Sequence, residues 1–93
     1  MILPTDRLPT HPGEILKLEF LEPMNLTEVA LAQHLNISVE KIIEVVQGKQ
    51  DITPKTAWLF SQAFGTTPQF WMNLQANYDL ALSRPKERVE LIS

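Results

Sequence analysis

The stretch Thr27–Lys49, TEVALAQHLNISVEKIIEVVQGK, constrains the fold more than any other part of the chain. It reads as two short helices folded over a tight corner. Thr27 is a natural N-cap, because its hydroxyl can accept from the free amides of the first turn. Leu26 before it and Leu31 at the fourth helical position form a hydrophobic staple that fixes the entry angle. Val29, Ala30, Ala32 and Leu35 give the first helix its packing side. Asn36 follows, and Asn is the non-glycine residue best suited to the left-handed conformation of a helix stop. Ile37 plugs the corner, and Ser38 caps the next helix with Glu40 in its first turn, where the dipole favours negative charge. That second helix runs to about Gln47, with Gly48 as its stop. Helix, three-residue turn and helix make a helix-turn-helix.

Ninety-three residues give one domain with a modest core. A chain with 44% hydrophobic and 20% charged residues is globular, not disordered. Without cysteine, neither a disulfide framework nor a thiolate metal site can form. No apolar run approaches the roughly 20 residues of a membrane span. Met1-Ile2-Leu3-Pro4 does not read as a signal peptide, so a cytoplasmic location is expected. The net charge of −3 is unusual for a protein that meets nucleic acid, which ordinarily presents a basic field.

Residues 1–10, with two prolines and no period, are expected to form an extended N-terminal arm. His11-Pro12-Gly13-Glu14 opens a helix whose stripe is Ile15, Leu16, Leu18, Phe20 and Leu21, ending at Pro23. Lys49 to Ile52 is a connector. Thr53-Pro54 starts the next helix, with Ala57, Trp58, Phe60, Ala63 and Phe64 before Gly65. Thr67-Pro68 starts the last, with Phe70, Trp71, Leu74, Tyr78 and Leu82 along one stripe. The expected fold is all-α, a five-helix repressor-like helix-turn-helix bundle. Its parts are the arm at 1–10, the helix-turn-helix domain with a C-terminal dimerisation helix at 11–83, and a short C-terminal tail at 84–93.

The motifs HPGEIL at 11–16, LEPMNLT at 21–27, LAQHLNIS at 31–38, QGKQDITP at 47–54 and FGTTPQFWMNLQANYDL at 64–80 resemble those of the HigA-type (VapI-type) antitoxins. These belong to the wider phage-repressor-like (XRE) helix-turn-helix class. The resemblance spans residues 11–82, and its last motif is one that a generic helix-turn-helix has no reason to carry. It implies an antitoxin or plasmid-maintenance protein of a type II toxin-antitoxin module. Such a protein is a homodimer, represses its own gene pair by binding a palindromic operator in the major groove, and neutralises a HigB-like mRNA-cleaving ribonuclease toxin.

In this motif class the second helix enters the major groove with its early outward residues against base edges. At about 100° per residue, Ile42, Val45 and Val46 fall on the core side and Glu40, Glu44 and Gln47 on the outer side. Mapped on the repressor pattern, Val39, Glu40 and Glu44 occupy base-reading positions, Lys41 and Lys49 are placed for phosphates, and Gln47 stands for a backbone-contacting residue. Thr27, Glu28 and Ser38, at the two helix N-termini, complete the DNA-binding set. The chain departs from the family's habit of Arg, Lys, Ser or Thr at these positions. Between Thr27 and Thr53 it carries Glu28, Glu40, Glu44 and Asp51 against Lys41 and Lys49. Phosphate contacts are therefore expected also from Lys17, Lys55, Arg7 in the arm, and helix N-termini. Glutamate can still accept from cytosine N4, and Val39 can touch a thymine methyl.

The aromatic run admits two readings. For Phe64 and Phe70 the first is the core. The other is a subunit interface, since an apolar stripe on the terminal helix of a small chain often buries against its symmetry mate. Dimerisation through residues 67–82, with Phe70, Trp71, Leu74, Tyr78 and Leu82 at the interface, is the expectation. His11 and His34 stand alone, so no metal site is expected; His11 is expected to hydrogen-bond at a helix start, and His34 to sit half-exposed at a helix end. Ser38, Ser61 and Ser83 lack a base partner, and the three glycines are isolated, so neither enzymatic chemistry nor a cofactor is expected. The alternative to the antitoxin reading is a protein-interaction module, or a regulator without a toxin, with the same fold and little or no operator binding.

Overall fold

The computed structural model describes residues 9–92. The arm expected over 1–10 therefore lies outside the described residues except for Pro9 and Thr10, which are exposed. Among the described residues all regular structure is helical: α1 (Pro12–Ile15), continuing into a π-helical turn (Leu16–Leu21), then α2 (Glu28–Leu35), α3 (Val39–Val46), α4 (Pro54–Phe64) and α5 (Pro68–Leu82).

Every helix starts where a side chain can accept from a free amide. His11 Nδ1 accepts from Gly13 N–H at 2.9 Å, and Pro12 occupies the first turn, where its missing N–H costs nothing. Thr53 and Thr67 cap α4 and α5 through the Thr56 and Phe70 amides, each followed by proline. Gly65, at φ +73°, closes α4 in the left-handed conformation that lets α5 begin three residues later.

Beyond Ile15 the first helix widens: the Glu22 N–H bonds the Lys17 carbonyl and the Leu26 N–H the Leu21 carbonyl, both five residues back. In such a turn residues five apart stack on one side, so Leu16 and Leu21 are both buried with Phe20 partly so. Leu18, expected in the buried stripe, is half exposed, because the widened turn carries it to the outside.

α1 packs on both α3 and α5, α2 on α3, and α4 on α5. The buried centre is Leu16, Leu21, Leu31, Ala32, Ile42, Val45, Ile52, Ala57, Phe60 and Trp71. Trp71 is 0% exposed. Its ring lies 5.0 Å from Phe60, 5.2 Å from Phe70 and 5.3 Å from Phe20, and its indole N–H donates to Thr66 Oγ1 at 2.7 Å. An indole so enclosed and satisfied is core.

Gly13 sets how closely α1 approaches α3. A Cβ there would overlap the Val45 carbonyl, so the two backbones touch directly. The connector that follows this same end of α3 is fastened by Gln75 of α5, which is buried. Its Oε1 accepts from Ile52 N–H at 2.7 Å, and its Nε2 donates to Asp51 at 3.2 Å and Asp79 at 2.9 Å. The C-terminal end of α3 is therefore held by backbone contact with α1, and the connector leaving it by a satisfied buried amide.

Candidate nucleic-acid interface

Thr27 Oγ1 accepts from Ala30 N–H at 3.0 Å and starts α2. Asn36 ends it at φ 58°, ψ 45°. The Asn36 N–H returns to the Gln33 carbonyl at 3.2 Å and the Ile37 N–H to the Ala32 carbonyl at 3.0 Å. That pair of bonds is the Schellman arrangement, with Ile37 packed against the core as its apolar partner. Ser38 Oγ accepts from Lys41 N–H at 3.3 Å and starts α3 at once. The corner is sharp because only a left-handed Asn36, the apolar Ile37 and the cap Ser38 separate the helices. Ala32 is buried beside α3, small enough to let the helices close, whereas Val29, placed on the packing side from sequence, is 52% exposed. Ala30 is half-buried and lines a groove with Met24, Leu26, Leu31, His34, Ala63 and Phe64, away from the seam of the two motif helices.

Ile42 and Val45 hold α3 down, with Val39 and Val46 partly buried against the same core. Glu40, Glu44 and Gln47 lie open on the opposite side, as expected from their spacing. Thr27, Ser38 and Lys49 are exposed, and Glu28 and Lys41 are half-buried. Lys17 is brought to the start of α2, where it lines one hollow with Thr27 and Glu28. Lys55 is exposed at the start of α4. Arg7 lies outside the described residues.

One residue of this face was missed from sequence. The connector turns back over α3, with the Lys49 and Gln50 amides both donating to the Glu44 carbonyl at 2.8 and 3.2 Å. Gln50 Nε2 thereby reaches Glu44 Oε1 at 3.3 Å. Six residues apart across a helix end, the pair has no signature in helical periodicity. The open face thus holds two carboxylates and two amides, and no cation lies on its outer row.

The dimer set divides. Trp71 is enclosed within the subunit and cannot face a partner, which corrects its assignment. Leu74 and Tyr78 are half-buried, with the Tyr78 ring edge-on to buried His11 at 4.9 Å. Phe70 and Leu82 remain 37% and 54% exposed, and Leu80 beside them 71%. His11 does hydrogen-bond at a helix start, as expected, but it is also buried, with Nε2 lacking a partner. His34 is exposed in the last turn of α2. Among the described residues no group of three or more His, Asp or Glu is placed to hold a metal ion, and no helix is long and apolar enough to cross a membrane.

No protein-family model matches the chain. Individual relatives do. Virulence-associated protein I of Dichelobacter nodosus is 41% identical over 83 residues, 88% of this chain and 77% of that protein. Antitoxin HigA-1 of Vibrio cholerae is 37% identical over 86 residues, 92% of this chain and 81% of that one. Among solved structures, the Pseudomonas aeruginosa antitoxin HigA with higBA promoter is 40% identical and superposes with a TM-score of 0.79, covering 81% of this chain and 82% of that chain.

Proposed function

The chain belongs to the HigA-type antitoxin family of helix-turn-helix regulators, and from that premise we propose that it is a dimeric, cytoplasmic antitoxin that represses its own gene pair and neutralises a ribonuclease toxin. The observation carrying the operator-binding part is the Asn36–Ser38 corner, which projects α3 with Glu40, Glu44 and Gln47 uncovered. Val39, Glu40, Glu44 and Gln47 meet the major groove. Thr27, Glu28, Ser38, Lys41 and Lys49 flank it, and Lys17 and Lys55 add phosphate contacts. The protein acts by binding, as its relatives do as regulators and antitoxins, and it performs no catalysis.

Two recognition helices must stand about one DNA turn apart, roughly 34 Å, to read a palindrome. Phe70, Leu74, Tyr78 and Leu82 of α5 supply the face that joins the protomers, without Trp71. Sedimentation at tens of micromolar should give a dimer, and a Leu82→Asp variant should shift it to monomer. A wild-type monomer removes the palindrome argument. The net charge of −3 suits an acidic partner for a basic toxin.

A gel shift with the DNA upstream of its own gene, at about 50 mM salt and above, tests the repressor reading. A specific, salt-sensitive retarded band is expected. The carboxylates on the open side of α3 favour a second reading, a protein-interaction module that has kept the fold, and absence of any specific band at the lower salt selects it. Co-purification with the product of the adjacent reading frame tests the toxin.

A further inference from the structure

We infer that α3 chooses its operator by where the exocyclic amines of the bases lie, and that Gln50 is the positioning residue that sharpens this choice. The inference rests on the operator-binding reading above. An ionised carboxylate accepts hydrogen bonds and donates none. Glu40 and Glu44 stand one turn apart on the open side of α3, so the charged groups of the outward row are acceptors only, with the Gln47 amide beside them able to donate or accept. Lys41 is half-buried on the helix flank, and Val39 has no polar side-chain atom.

Every base pair presents one amine to the major groove, cytosine N4 or adenine N6. Guanine N7 and O6 and thymine O4 are all acceptors. A carboxylate aimed at one side of a pair therefore bonds cytosine or adenine there and meets acceptor against acceptor at guanine or thymine. The resulting preference groups A with C against G with T on the contacted strand. It is neither a purine–pyrimidine nor an A·T–G·C distinction.

A long exposed glutamate ordinarily samples several rotamers, which blurs such a choice. Here the Glu44 carbonyl anchors the Lys49 and Gln50 amides, and the Gln50 side chain then holds Glu44 Oε1 at 3.3 Å. Glu44 Oε2 is left pointing from a tethered carboxylate. Gln50 acts through Glu44.

The test is selection of the full-length protein on a randomised duplex library, with Glu44→Lys and Gln50→Ala in parallel; both sites are exposed, and intact thermal transitions confirm folding. Wild type should enrich half-sites with at least one position where A and C are bound about tenfold better than G and T. Glu44→Lys should invert that position to G and T, because an ammonium donates to guanine O6 and thymine O4 and is repelled by the amines of A and C. Gln50→Ala should reduce the preference severalfold at the same position and leave the others alone. A bound library with no such position, or one whose preference survives Glu44→Lys, overturns the inference while leaving the repressor reading intact. No enrichment by any of the three proteins at about 50 mM salt overturns both.

Discussion

Single residues differ in how openly they declare their roles. Gly13 is the sharpest case: it sits inside a helix with an ordinary backbone, and only its partner explains it. A methyl there meets the Val45 carbonyl. Backbone cannot step aside as a flexible side chain can, so Gly13→Ala should destabilise by about 1–3 kcal/mol, read as a lower urea midpoint. Gly65→Ala makes a control, since nothing lies within 4 Å of its Cβ and only the φ of +73° is strained, for about 1 kcal/mol. Equal costs would mean α1 does not press on α3 as described. Ala32 and Ala30 form a second pair. A glutamate at buried Ala32 enters the seam of the motif helices and should cost roughly 3 kcal/mol or more, whereas at half-buried Ala30 it reaches water along the groove and should cost far less. Thermal unfolding of the two variants decides between them. The caps Thr27, Ser38, Thr53 and Thr67 and the left-handed Asn36 were legible because their physics is local. Gly13 was not, because its constraint comes from a residue 32 positions away.

Elements were legible in number and in their start points, less so in what they face. The α5 stripe was visible as apolar spacing, but spacing says only that a side is covered, not by what. Trp71 belongs to the subunit because Phe20 and Phe60 arrive from two other elements to enclose it. Gln75, on the same side as Trp71, went unnoticed because a polar residue in a stripe reads as an interruption. In the fold it is the buried acceptor for the Ile52 amide and the donor to two carboxylates. Replacing Gln75 with Met keeps the volume and removes that acceptor, so the Ile52 N–H is stranded in a dry place. The expected loss is about 1–3 kcal/mol in denaturant melts. Because Ile52 ends the connector that carries Gln50, the variant should also loosen α3's outer row, seen as faster amide exchange at Lys49 and Gln50. Unchanged stability and exchange would show that the amide merely fills space. The π turn was equally hidden, since its bonds depend on Leu16 and Leu21 both being buried against the same core.

At the scale of the molecule, charge is the deciding quantity. A chain of net charge −3 gains nothing from long-range attraction to DNA, and as a dimer it doubles the deficit. Binding must then come from short-range contacts: Lys17, Lys41, Lys49 and Lys55 from each protomer, helix N-termini, and the bases themselves. Eight such cations neutralise at most eight phosphates, which bounds the slope of log K against log salt at about −7. In the proposed docking Glu44 faces the duplex, so its carboxylate subtracts from this attraction wherever the sequence offers no amine to bond. Glu44→Lys changes each protomer by two charges at that position. If each new ammonium meets a phosphate in non-specific complexes, the slope should steepen by about two per dimer and affinity for random duplex should rise. Fluorescence anisotropy across a salt series measures both. A change in affinity at unaltered slope would mean the lysine acts at bases alone, and no change in either would mean that α3 is turned away from DNA. The same substitution at Glu14, exposed in the first turn of α1, alters net charge equally without placing a cation on the α3 face. It should leave the slope nearly where it was, separating local placement from the overall field.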